Sequence, residues 1–188
     1  MNCPFNLTDY LNCYRNGVFM ENIILIGYMG SGKTTIGKNL AKKKKYIFVD
    51  TDEMIVEQQR RSINEIFATD GEQMFRDMET ALLRQLIVEK KEHMVISTGG
   101  GMPLRAENRQ LLTILGKVVY LKASPKTIYD RIKGDTTRPL LQCENPMKRI
   151  EEMIAVREPL YEQAATIVVD VNALRQSEVT LKIIEKCE

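Results

Sequence analysis

Eight residues, Gly27-Tyr-Met-Gly-Ser-Gly-Lys-Thr34, fit the spacing G-x-x-x-x-G-K-[ST] at every fixed position. The residue types suit one task. Glycines let the backbone curl until several N–H groups point inward at phosphate oxygens. Lys33 is long enough to reach β- and γ-phosphates, and the Thr34 hydroxyl suits Mg²⁺. The flanks agree, because an apolar run precedes the glycines and a helical pattern follows, adding its positive end to the anion site. Gly30, Ser31, Gly32, Lys33, Thr34 and Thr35 therefore form a candidate cradle for a nucleoside triphosphate.

A phosphate donor needs an acceptor, and four further groups could serve one. Asp50-Thr-Asp52 closes a second apolar run. In extended chain two carboxylates two residues apart point the same way. One could hold a metal-bound water and the other an acceptor hydroxyl, or Asp52 could simply cap a helix. In "GEQMFRDMET" (71–80), Arg76 and Glu79 stand at i and i+3, a common surface pair or an arginine aimed at an acidic substrate. Gly99, Gly100 and Gly101 end a third apolar run, and three glycines exceed what a turn needs, which favours close approach of a ligand. That run lacks a terminal aspartate, so metal holding falls to Thr34 and Asp50. Arg131 and Arg138 flank a polar, aperiodic stretch, where a loop arginine near a nucleotide can close on phosphates. Arg157 stands on a helical pattern beside Glu158 and Glu162 and either pairs with them or binds a substrate carboxylate.

The elements that must hold these groups alternate. Strands are expected near 23–26, 46–49, 94–97, 118–121 and 166–170. Helices are expected at 33–45, from the capping box Ser62-Ile-Asn-Glu65, at 72–91 with Met74, Met78, Ala81, Leu82 and Leu86 inward, through 111–115, from Ser124-Pro125 to 133, at 147–164 and at 178–186. Such alternation implies an α/β fold with a parallel sheet covered on both faces, whose ligands bind outside the carboxyl ends of the strands. Three of the five strand ends carry the unusual residues, which places one site.

Composition excludes other classes. The 188 residues suggest one domain, and 44% hydrophobic residues supply a core. The 27 basic and 25 acidic residues leave a net charge of +2, no general case for nucleic acid or an anionic membrane. The run Lys42–Lys45 reads as a solvated last helical turn. No stretch approaches the roughly 18–20 apolar residues of a membrane span. Cys3, Cys13, Cys143 and Cys187 form no C-x-x-C, and His93 has no cysteine near it, so neither zinc nor a disulfide framework is expected. The thiols read as reduced in a cytoplasmic protein, and the polar helix faces as those of a monomer. Residues 1–20 show no signal-peptide pattern. They read as an extension, ill-ordered or docked as a short helix, or as residues preceding a native start at Met20. A single kinase domain is expected over 21–188.

Taken together, the motifs resemble the shikimate kinase family from about Met20 to the C-terminus. The resemblance rests on "GYMGSGKTT" (27–35), "DTD" (50–52), "GEQMFRDMET" (71–80), "STGGG" (97–101), "RPLL" (138–141) and "REPLYEQAA" (157–165). It implies transfer of the γ-phosphoryl of ATP, with Mg²⁺, to the 3-hydroxyl of shikimate in aromatic amino acid biosynthesis. It implies a five-stranded parallel sheet in the order 2-3-1-4-5, a substrate-binding segment near 52–80 and a lid near 134–146. By similarity Asp52 would bond the acceptor hydroxyl and act as base, and Arg76 and Arg157 would clamp the carboxylate. Gly100 and Gly101 would face the ring, and Glu79 would orient Arg76. Asp50 would contact Mg²⁺ through water, Arg138 the phosphates and Arg131 the adenine. The rivals are a gluconate or nucleoside monophosphate kinase on the same scaffold, and a non-catalytic ATP-binding regulator.

Overall fold

The computed structural model describes residues 20–134 and 144–188. Five strands, β1 (Ile23–Ile26), β2 (Ile47–Asp50), β3 (Met94–Ser97), β4 (Lys117–Lys122) and β5 (Ile167–Asp170), form an all-parallel sheet ordered β2-β3-β1-β4-β5. The strand order expected from the family resemblance is therefore present. β1 and β3 are buried at every position, as continuous apolar runs in a twice-covered parallel sheet must be. The edges are open by contrast, with Ile47 on β2 and Val168 on β5 exposed.

Eight helices flank the sheet among the described residues: α1 (Lys33–Lys44), α2 (Thr51–Gln59), α3 (Ile63–Thr69), α4 (Gly71–Glu89), α5 (Ala106–Leu115), α6 (Pro125–Ile132), α7 (Pro146–Ala164) and α8 (Gln176–Cys187). Helices α1 and α8 pack together, as do α4, α5 and α7 in turn. None is long and apolar enough to cross a membrane. Local chemistry sets the ends. Ser62 and Glu65 form the expected capping box of α3, and Ser124 caps α6 with proline at its first position. Lys42, Lys43 and Lys44 fill the last turn of α1, facing the negative end of its dipole.

Two expectations need correction. Asp50 ends β2 and caps α2, its Oδ1 accepting from the Asp52 N–H at 3.1 Å. Asp50 and Asp52 thus do not share an extended segment, because the chain turns helical at Thr51. On α4, Met74 and Ala81 face outward, while Phe75, Glu79, Leu82, Leu83 and Leu86 are buried. The helix turned this face inward because it must seat Glu79 as well as its leucines. The expected lid (134–146) falls mainly on 135–143, outside the described residues, as do residues 1–19 and Cys3, Cys13 and Cys143.

Candidate active site

The glycine loop leaves β1 at Gly27 and enters α1 at Lys33. Gly32, the N-cap of α1, sits at φ 100°, a conformation that a side chain would strain. Lys33 is buried, its Nζ donating to the carbonyls of Gly27 at 2.7 Å and Tyr28 at 3.1 Å. The ammonium is thereby held over the loop. The Thr34 hydroxyl lies 3.3 Å from Asp50 Oδ2. One hydroxyl and one carboxylate are hard oxygen donors suited to Mg²⁺, which takes its remaining ligands from waters and phosphates. Among the described residues no cluster of three or more His, Cys, Asp or Glu could hold a metal by itself.

A cavity of about 480 Å³ opens above the loop, lined by Gly30, Ser31, Gly32, Lys33, Thr34 and Thr35. Asp50, Asp52, Gly100 and Arg131 also line it. The three strand ends thus meet at one site. Arg131 donates to the carbonyls of Gly30 (3.2 Å), Ser31 (3.1 Å) and Val171 (3.1 Å). It straps the phosphate loop to the segment after β5. Arg138 lies outside the described residues.

The acceptor side is built around the glycine triplet. Thr51 accepts the Gly99 N–H on its hydroxyl, and Tyr161 donates its hydroxyl to the Gly100 carbonyl at 2.7 Å. A side chain at Gly101 would fall on the Arg76 guanidinium. The bare backbone there makes room for one of the protein's own cations. Arg76 is held by Glu79 Oε2 at 2.8 Å and Glu72 Oε1 at 3.0 Å. Arg157, on α7, stacks over the Tyr28 ring at 5.5 Å. Burial pushes the Tyr161 hydroxyl up to about 12, with Arg157 and Arg76 both opposing the rise, so both cations approach this ring.

Electrostatics marks the same spot. Burial raises the Asp52 carboxyl, neighbouring Asp50 adds to it, and Lys33 and Arg76 oppose it. Burial pushes Glu79 up to about 7, against the pull of Arg76. Ser31 Oγ, Asp52 Oδ1 and Glu79 Oε1 are buried with no hydrogen-bond partner among the described residues. Buried polar atoms without partners are few in folded proteins, and here all three sit at one site. Sequence reasoning missed Tyr161 and the apolar wall of Val171, Leu174 and Val179. The α7 periodicity signals that Tyr161 is buried, but nothing signals where its hydroxyl goes.

Comparison with known proteins points to one family. The family model described as shikimate kinase matches residues 29–188. Shikimate kinase of Thermodesulfovibrio yellowstonii is 46% identical over 169 residues, 90% of this chain and 96% of that protein. The Neisseria gonorrhoeae enzyme is 44% identical over 163 residues, 87% and 95% of the two chains. A solved structure, shikimate kinase from Acinetobacter baumannii in complex with shikimate, superposes with a TM-score of 0.82 at 36% identity. It covers 89% of this chain and 92% of its own.

Proposed function

The chain belongs to the shikimate kinase family, and from that premise we propose that it moves the γ-phosphoryl of ATP to the 3-hydroxyl of shikimate. The observation that carries this reading is the line-up along the glycine triplet. Gly100 lines the phosphate cavity while Gly101 carries the Arg76 guanidinium. An acidic acceptor on that arginine is adjacent to the phosphates.

In this reading the loop N–H groups, Lys33 and Thr35 hold the triphosphate, and Thr34 with Asp50 (through water) holds Mg²⁺. Held there, Mg²⁺ would supply positive charge to the phosphate oxygens. Arg76 and Arg157 take the substrate carboxylate, planar forks matching a planar anion. Asp52 accepts the hydroxyl proton, and its raised basicity suits it to that step. Arg131 strengthens the loop beside the adenine. Arg138 keeps the role that its family resemblance implies, a positive charge on the phosphates. Residues 21–188 act as one kinase unit, a cytoplasmic monomer with no nucleic-acid partner. The near balance of charge supports the last point. The gluconate kinase and regulator alternatives are not favoured by a family match over most of the chain.

Isothermal titration tests the acceptor side. Arg76→Ala should abolish measurable shikimate binding while ATP binding persists. Unchanged shikimate affinity would remove Arg76 from the site and overturn the assignment.

A further inference from the structure

Gly99 reveals how closely two acids approach. A methyl group built on its Cα would lie 2.5 Å from Asp52 Oδ1 and 3.0 Å from Glu79 Oε1. The two acids are therefore near neighbours, and both oxygens crowd the same side of the Gly99 backbone. Both are buried and lack a hydrogen-bond partner among the described residues. Glu79 is fully sealed, at 0% exposure. Its other oxygen holds Arg76.

The charges around Glu79 can be counted by element. On its own helix stand Arg76 and, beyond it, Glu72. Asp52 acts on it from the start of α2, and Lys33 of α1 in turn acts on Asp52. Arg105, ahead of α5, adds a weaker pull and is itself paired with Asp77 at 2.7 Å. In the free protein Arg76 thus answers Glu79 and Glu72. A substrate carboxylate docked on Arg76 brings another anion to the same guanidinium. Two like charges side by side at low dielectric resist joint ionisation. The sealed acid is the one that water cannot stabilise, and burial already pushes its carboxyl up to about 7.

We propose that binding of shikimate is coupled to uptake of one proton by Glu79, which leaves Asp52 as the anion at the Gly99 turn. This rests on the acceptor reading above. The balance is simple: shikimate anion, ionised Glu79 and a proton from solvent give a complex whose Glu79 is neutral. The proton returns to solvent when the ligand leaves. Glu79 is then a positioning residue with a second task beyond orienting Arg76. It removes its own charge, so the acceptor hydroxyl meets one carboxylate at the Gly99 turn in place of two. The chain's one histidine is remote from this event, because His93 lies at the amino-terminal end of the sheet, bonded to Ile47 and Glu21.

The test is titration calorimetry of shikimate into the full chain, without nucleotide, in buffers of differing ionisation enthalpy. At about pH 8 the apparent enthalpy should vary with buffer, with a slope approaching one proton taken up; below about pH 6 the slope should vanish. Affinity should weaken above neutrality by up to about tenfold per pH unit. Glu79→Gln, which keeps an acceptor for Arg76, should bind with no slope and no such pH dependence. A wild-type slope of zero at pH 8, with shikimate bound, overturns this proposal alone. A slope that survives in Glu79→Gln also overturns it. Failure of the wild-type protein to bind shikimate at all overturns the acceptor reading and this proposal together. Should Glu79→Gln fail to fold, the wild-type slopes at the two pH values decide by themselves.

Discussion

At the amino-terminal end of the sheet, Asn22 commits its whole side chain to the fold. Its amide donates to the carbonyls of Lys91 (2.9 Å) and Leu115 (3.0 Å), and its oxygen accepts from the Met94 N–H (2.9 Å). At the carboxyl end, Glu79 is equally buried, yet one of its oxygens and one of Asp52 meet no donor among the described residues. Both residues are polar groups in an apolar interior, so burial alone does not distinguish them. What differs is where their hydrogen bonds are completed. Asn22 joins β1 to the segments on either side and is finished by folding. Asp52 lines the phosphate cavity and Glu79 lies behind it beside Gly99, and their unsatisfied acceptors cost stability that a ligand can recover.

The contrast yields opposite expectations for mutants at the two ends. The largest effect is expected at Asp52. Asp52→Asn should lower kcat by about 10²–10⁴-fold, the range for loss of a general base. Its Tm should hold or rise, because a carboxylate with one buried, unsatisfied oxygen is removed. A Tm loss matching that of a core mutant would break the comparison. Asn22→Ala should do the reverse. It strands three backbone groups and should cost about 3 kcal/mol of stability. In a chain of this size that is a fall in Tm of about 6–12 °C. The kcat measured at 25 °C should stay within about twofold of wild type.

Gly101→Ala sharpens the account of the acceptor side. The added methyl displaces the Arg76 guanidinium, and overpacking of that kind costs about 1–3 kcal/mol. KM for shikimate should rise by about tenfold or more with KM for ATP unchanged; equal changes in both would point to general damage. The pH dependence of stability separates the ends again. Burial pushes the folded Glu79 carboxyl up to about 7 from its ordinary 4.5. The folded state then binds the proton more tightly, so its contribution is complete below pH 4.5 and is lost as pH rises to about 7. Urea midpoints should fall across that window, and Glu79→Gln should flatten the fall. Arg131→Met should have the smallest effect, a several-fold rise in KM for ATP, because Lys33 also ties the loop through the Gly27 and Tyr28 carbonyls.

How much of this was legible depended on how local each cause is. The phosphate cradle is contiguous, so its residues and spacing could be read directly. The α3 capping box and the Ser124-Pro125 helix start are equally local, and the structure has both. The strand order came from family resemblance, since periodicity carries no neighbour information. The Asp50 cap was missed because the carboxylate pair was read as extended chain. The buried face of α4 is not legible because Glu79 and Thr80 look solvent-facing in sequence; Thr80 is buried by bonding Asn108 of α5, and Glu79 by packing against Gly99 and Asp52. Gly101 is bare on account of Arg76, 25 positions earlier, and no local pattern joins the two. Asn22 gives no signal at all beside the apolar run that it anchors.

The most direct test of the central claim is ADP release from ATP and Mg²⁺ with shikimate, gluconate, a panel of nucleoside monophosphates, or no acceptor. Turnover with shikimate and none with the others is the predicted result. Turnover with gluconate or a nucleoside monophosphate instead would keep the phosphate cradle and contradict the roles given to Asp52, Arg76 and Arg157.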